Sequence, residues 1–226
     1  YPLRRQRQMC IRDRAFMKFE SEMLGVKAVL NGSEEDFIVL TNEAKRLGIV
    51  TRFTASEAAA GMGNLARAGF NTGEVMAATG GMLDLAAAGM LDVADAGRIV
   101  ADVVRGFNLQ ADQASRIANV LALSAARTNT TVLEMGDAFS FVAPVAGALG
   151  VSVEQTAAMM GILADAGMKG SRAGTGLRRI LAEMGTEISQ RGVPALNELL
   201  QAGISVPEAF AQFGLRGAPA ILALAN

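Results

Sequence analysis

The sequence predicts an all-α fold, an irregular array of short packed helices joined by Gly-apolar turns within one domain. Three observations predict it. The first is a duplication. Residues 53 to 70 read FTASEAAAGMGNLARAGF and residues 151 to 168 read VSVEQTAAMMGILADAGM. They share Ala59/Ala157, Ala60/Ala158, Met62/Met160, Gly63/Gly161, Leu65/Leu163, Ala66/Ala164, Ala68/Ala166 and Gly69/Gly167. Each opens on a hydroxyl residue, Thr54 or Ser152, with Glu57 or Gln155 three places on, the pattern of a capping box. The shared residues fall at three- and four-residue steps, one face of a helix. Met62 with Met160, and Leu65 with Leu163, are therefore expected at equivalent buried positions in superposable helices.

The second observation is composition. The chain is 51% hydrophobic but only 5% aromatic, with 25 glycines and 12 methionines. Helices built this way pack closely through small residues, with methionine filling gaps. The third is a recurring junction. Gly48-Ile49, Gly69-Phe70, Gly89-Met90, Gly106-Phe107, Gly150-Val151, Gly203-Ile204 and Gly214-Leu215 each follow a helical stretch. A glycine past a helix end takes the left-handed conformation, and the next apolar residue packs back on the last turn. A capping residue follows most of them: Asn71 or Thr72, Asp92, Asn108, Ser152, Ser205.

Taken in order, these signals predict helices near 15–30, 34–47, 55–68, 73–88, 93–105, 111–127, 132–149, 153–166, 172–190, 195–202 and 206–213. A last helical piece begins after Pro219. Glu34, Glu35 and Asp36 follow Ser33 as first-turn acids favoured by the helix dipole. The segment 48–53 reads as a short extended link. The helix at 132–149 is expected to break near Pro144. Pro207 and Glu208 after Ser205 mark a helix start. No run alternates long enough to make a sheet. The longest uncharged run, 138–153, is short of the roughly 20 apolar residues a spanning helix needs, so it reads as a buried helix.

Residues 1–14, YPLRRQRQMCIRDR, differ from the rest of the chain. They cluster Arg4, Arg5, Arg7, Arg12 and Arg14 without helical periodicity. They resemble a translated vector or adaptor remnant more than a nucleic-acid-binding arm, and read as a non-native leader to a helical module at 15–226. Without them the chain holds 16 basic and 21 acidic residues, a balance that argues against general nucleic-acid binding. It then has no His, Cys, Trp or Tyr. Disulfides, zinc sites with N or S ligands, and Ser-His or Cys-His catalysis are excluded there. Asn226 follows an unfinished apolar run, so the chain reads as a fragment of a longer one.

GMKGSRAGTGLRR, residues 167–179, invites comparison with a phosphate loop. The Walker pattern places Gly-Lys-Ser/Thr after a four-residue spacer. Here Lys169 precedes the glycines and no strand leads in. The reading is instead a packing hinge. Gly170, Ala173, Gly174 and Gly176 let a helix start pass close to its neighbour, and Arg178 and Arg179 lie on its solvated face. With Gly150 and Gly167 these form the one structural motif assigned; no catalytic, cofactor-binding or metal residue is assigned. The acids Asp92, Asp95, Asp102, Asp112 and Asp137 are scattered, with no pair placed as a carboxylate hydrolase requires. Arg67, Arg98, Arg105, Arg116 and Arg127 read as exposed charges on successive helices, with a peptide-binding groove as the sharper alternative.

Three blocks carry a family resemblance: 43–71 (EAKRLGIVTRFTASEAAAGMGNLARAGFN), 83–109 (LDLAAAGMLDVADAGRIVADVVRGFNL) and 118–181, which ends in ADAGMKGSRAGTGLRRIL. From about Phe16 to Leu181 the chain resembles the conserved module of phage tail tape measure proteins. The resemblance implies a structural, non-enzymatic role without cofactors. Tail-tube subunits polymerise around such proteins, whose length sets tail length, and which leave the tube ahead of the DNA on infection. It implies a place in the virion tail, and in the host cytoplasm during assembly. It implies tail-tube and tail-tip proteins, tail assembly chaperones and further copies of itself as partners, no specific nucleic acid, and membrane contact only in the full-length protein. The competing readings are a helical binding or pore-forming module of other origin, and an enzyme.

Overall fold

The computed structural model describes residues 2–30 and 32–187. Among them are helices α1 (Pro2–Leu30), α2 (Glu34–Val50), α3 (Ala55–Arg67), α4 (Thr72–Gly89), α5 (Val93–Gly106), α6 (Ala114–Arg127), α7 (Val132–Ala148), α8 (Val153–Asp165) and α9 (Gly170–Glu187), with a 3-10 turn at Ala111–Gln113 before α6. No described residue is in a strand. The helices expected at 195–202, at 206–213 and after Pro219 lie outside the described residues, as do the junctions Gly203-Ile204 and Gly214-Leu215.

Local chemistry fixes most starts. Ser33, Thr54, Asn71, Thr131 and Ser152 each accept from the backbone N–H three residues on, and that residue's side chain accepts from the cap's own N–H. Five helix starts thus have donors satisfied reciprocally. Asp92 begins α5 without such a bond.

The array is more regular than expected. α1, α3, α5, α7 and α9 stack in one layer, each on the odd-numbered helix before it; α2, α4, α6 and α8 stack in a second. The first residues of α3, α5, α7 and α9 are 38 or 39 apart. The chain is a stack of helical hairpins in two layers, as in α-solenoids. Counting from the residue before each odd helix (Thr54, Asp92, Thr131, Lys169), the fourth, eighth and twelfth positions form the core. They are Ala58, Ala96, Met135 and Ala173; Met62, Val100, Phe139 and Leu177; Ala66, Val104, Ala143 and Leu181, all buried. On α1, Phe19, Met23 and Val26 continue this core.

Several expectations are corrected. α1 begins at Pro2, so the backbone of residues 2–14 is helical and continuous with the remainder of α1. α2 runs on to Val50, and only 51–53 remain as a link. Gly48 does not turn left-handed; a Cβ there would stand 2.6 Å from the Ala55 nitrogen, so this glycine lets α2 pass the start of α3. Ile49 and Val50 point to solvent. α7 continues through Pro144, because Pro144 and Ser140, whose carbonyl loses its donor, lie on the exposed face where water can serve it. At two junctions the left-handed residue is shifted: Met90 after Gly89, and Asn108 after Gly106.

The duplicated helices are alike in type but not in place. α3 belongs to the odd layer and α8 to the even layer. Met62, Gly63 and Ala66 are buried, as are Met160, Gly161 and Ala164, but Leu65 is fully buried while Leu163 is only partly so. The difference comes from neighbours: α3 lies between α1 and α5, whereas α8 has α6 on one side and no later even helix among the described residues.

Candidate functional site

The glycine-rich stretch is the α8–α9 junction. The Gly167 N–H donates to the Ala164 carbonyl at 3.0 Å, and the Met168 N–H donates to the Leu163 carbonyl at 2.8 Å. With Gly167 at φ +87° this is a Schellman turn. Lys169 donates from Nζ to Asn129 Oδ1 at 3.0 Å, and the Asn129 N–H donates to Asp165 Oδ1 at 2.8 Å. The lysine therefore ties the α8–α9 turn to the α6–α7 turn. Gly170 also has positive φ, +56°. Gly150 makes the equivalent turn between α7 and α8 at φ +70°, with the Val151 N–H donating to the Ala146 carbonyl at 2.9 Å.

Ala173 and Gly174 lie where α9 crosses α7. A Cβ on Gly174 would stand 2.9 Å from Ala138 Cα and nearer still to its carbonyl oxygen. Gly176 is different: a Cβ there meets nothing within 4 Å. Of the six motif residues, three make left-handed turns, two face a close crossing, and one faces open space. Arg178 and Arg179 are exposed.

The arginines are tied into the stack. Arg116 on α6 grips Glu154 on α8 through two bonds of 2.7 and 2.8 Å. Arg98 on α5 reaches Asp137 on α7 at 3.0 Å. Arg105 donates to the Gly69 carbonyl at 2.6 Å and to Glu74 at 3.1 Å, and lies 4.4 Å from the centre of the Phe70 ring. Arg67 bonds Asn64. Arg127 lines a groove. That groove, between α6 and α8, encloses about 300 Å³ and is bordered also by Val120, Leu123, Ser124, Thr128, Glu154, Ala157 and Ala158.

The shifted acids are explained by these contacts. The Thr54 N–H holds the Glu57 carboxyl below its ordinary range, and the Thr131 N–H does the same for Glu134. Arg116 lowers Glu154. Burial pushes Asp102 up, against the pull of Arg98. These acids serve as caps and ion-pair partners between and within helices. Among the described residues no three His, Cys, Asp or Glu are grouped to hold a metal, and no helix is long and apolar enough to cross a membrane.

Sequence reasoning missed the column that organises the stack. The fifth residue of each odd helix after α3 packs on the seventh of the helix before it: Gly97 by Gly61, Gly136 on Ile99, Gly174 on Ala138. The spacing of Gly97, Gly136 and Gly174 was the available signal.

The family of phage-related minor tail proteins matches residues 41–224. Over 167 residues, 74% of the chain, the sequence is 46% identical to the tape measure protein of Pneumococcus phage Dp-1, covering 14% of that protein. Over 169 residues, 75% of the chain, it is 34% identical to a probable tape measure protein of Escherichia phage P2, covering 21% of it. The chain spans only that small share of these relatives' length. No solved structure matches it.

Proposed function

The chain belongs to the family of phage-related minor tail proteins, and from that premise we propose that it is a folded segment of a tape measure protein, which sets tail length during assembly. The observation that carries this reading is the identity shared with a named tape measure protein over most of the chain. The fold supports it. Glu57 and Glu134 close caps, and Arg116–Glu154 and Arg98–Asp137 tie neighbouring helices; this segment is read as an assembly element and not as an enzyme. Its partners in this reading are tail-tube and tail-tip proteins, tail assembly chaperones and further copies of itself. Its place is the virion tail, reached from the host cytoplasm. The division into a leader at 1–14 and a module at 15–226 belongs to the same proposal.

The test is genetic. A stop codon introduced within this segment, in a phage that encodes it, should abolish tails of normal length in electron micrographs. Peptides from the segment should also be found in purified virions. Normal tails from the interrupted gene would overturn the reading, and would favour a binding or pore-forming module instead.

A further inference from the structure

The groove between α6 and α8 comes from unequal side chains on two neighbouring helices. Val120, Leu123, Ser124 and Arg127 recur at three- and four-residue steps, so they share one face of α6. Opposite them, Glu154, Ala157 and Ala158 on α8 follow the same spacing. At one end Arg116 spans the gap to Glu154 through bonds of 2.7 and 2.8 Å. At the other end Gly161 backs onto Thr128, where an added Cβ would stand 2.7 Å from the threonine methyl. Between these ties the α8 side is alanine, too short to reach across, and a space of about 300 Å³ stays open.

Its floor is apolar. Ala157 is buried, Val120 is partly buried, and Leu123 beside them is 51% exposed. Its charge is one-sided. Both Glu154 oxygens are taken by Arg116. Arg98, Arg105 and Arg116 each bond an acid on another helix. Arg127 is exposed, and among the described residues it has neither an ion-pair nor a hydrogen-bond partner. Ser124, one turn back on the same face, adds a hydroxyl. Two donors beside an apolar floor suit a carboxylate that lies next to an apolar side chain. The volume is at the low end for a ligand site. It takes one or two side chains, and not a whole helix about 10 Å across.

The geometry points to a peptide-docking site: the α6–α8 groove takes an acidic amphipathic helix of a partner protein, with an apolar side chain on Leu123 and Ala157 and a neighbouring carboxylate on Arg127. A helix presents an apolar anchor and a flanking acid at three- and four-residue steps, which is how grooves between helices are filled. Burial of the anchor supplies attraction. Arg127 sets which charge is accepted, since a basic residue in that place would meet a like charge. This inference rests on the groove and not on the tape measure reading.

Fluorescence anisotropy of a labelled model peptide with the full chain tests it. The peptide is a helix with leucines on one face and glutamates along their border; sister peptides carry glutamine or lysine in place of glutamate. The glutamate peptide should bind saturably, the glutamine peptide more weakly, and the lysine peptide not detectably. Arg127→Gln should weaken the glutamate peptide by roughly two- to fivefold, the range for an exposed ion pair, and remove its advantage over the glutamine peptide. Ala158→Phe, at an exposed position, should fill the groove and abolish binding, and Leu123→Ser should weaken it. Arg178→Gln, at an exposed arginine outside the groove, should leave the affinity unchanged. Melting temperatures close to that of the unaltered chain separate lost binding from lost fold. Absence of binding, equal affinity for the three peptides, or an affinity indifferent to both Arg127→Gln and Ala158→Phe overturns the proposal.

Discussion

The backbone of Gly174 on α9 runs against that of Ala138 on α7, so closely that an added Cβ would stand 2.9 Å from Ala138 Cα. Backbone cannot move aside as a side-chain tip can. Gly174→Ala should therefore cost about 1–3 kcal/mol by overpacking. Gly80, inside α4 with nothing within 4 Å of its Cβ direction, should show the reverse. Gly80→Ala should gain about 0.5–1 kcal/mol from helix preference alone. Urea unfolding of both variants checks the pair, and losses of equal size would contradict the close crossing.

Leu65 and Leu163 occupy matching places in duplicated sequence but not in the stack. Leu65 is fully buried, so Leu65→Ala should cost about 2–5 kcal/mol. Leu163 is partly buried, and Leu163→Ala should cost about half that or less, in proportion to the area covered. Equal losses would mean that the two sites are equally enclosed.

Acid should weaken the helix starts. The carboxyls of Glu57 and Glu134 are held below the ordinary glutamate value of 4.5 by backbone donors at their caps. An acid depressed in the folded state adds stability above its unfolded pKa, and that stability is lost as pH falls through the folded value. Stability should thus decline below about pH 4.5. Gln155 already closes the box of Ser152 without a charge. Glu57→Gln should accordingly keep the cap and flatten part of the decline, read from melting temperatures between about pH 7 and pH 3. Asp102 works in the opposite sense: burial raises its pKa, so its protonation relieves a cost as pH falls, which makes Asp102→Asn neutral to stabilising near neutral pH.

Arg116 and Glu154 make a bidentate pair, yet each side chain is 46% exposed. A double-mutant cycle should give a coupling of about 0.2–1 kcal/mol, since water screens an exposed pair. The coupling should shrink further at high salt. A coupling that ignores salt would show that the pair is enclosed in solution.

Helix ends were legible because caps are local. Ser33, Thr54, Asn71, Thr131 and Ser152 with their partners three residues on mark starts that the structure keeps within two residues. The layering was not legible, because it depends on contacts about one repeat apart, where the sequence keeps size and not identity. The fifth-position column needs only a small residue, and the seventh position opposite it varies from Gly61 to Ile99 to Ala138. The likeness of 53–70 to 151–168 misled for the same reason. A stripe of small residues suits either layer, and these two segments, 98 residues apart, are not separated by a whole number of repeats. Within the glycine-rich stretch, the turn glycines could be read from sequence. Which face Gly174 and Gly176 present could not, since that requires knowing where α7 lies.

The 38- or 39-residue period also fixes how little distance this chain covers. Each hairpin advances the stack by one interhelix spacing, about 8–10 Å. The same residues in one continuous helix would advance about 60 Å at roughly 1.5 Å each. Folded this way, the segment gives roughly one sixth of the reach of straight helix per residue. In the proposed role as part of a molecular ruler it is thickness more than length: a block with a defined cross-section, whose removal would shorten a tail far less than deleting an equal number of residues from an extended stretch.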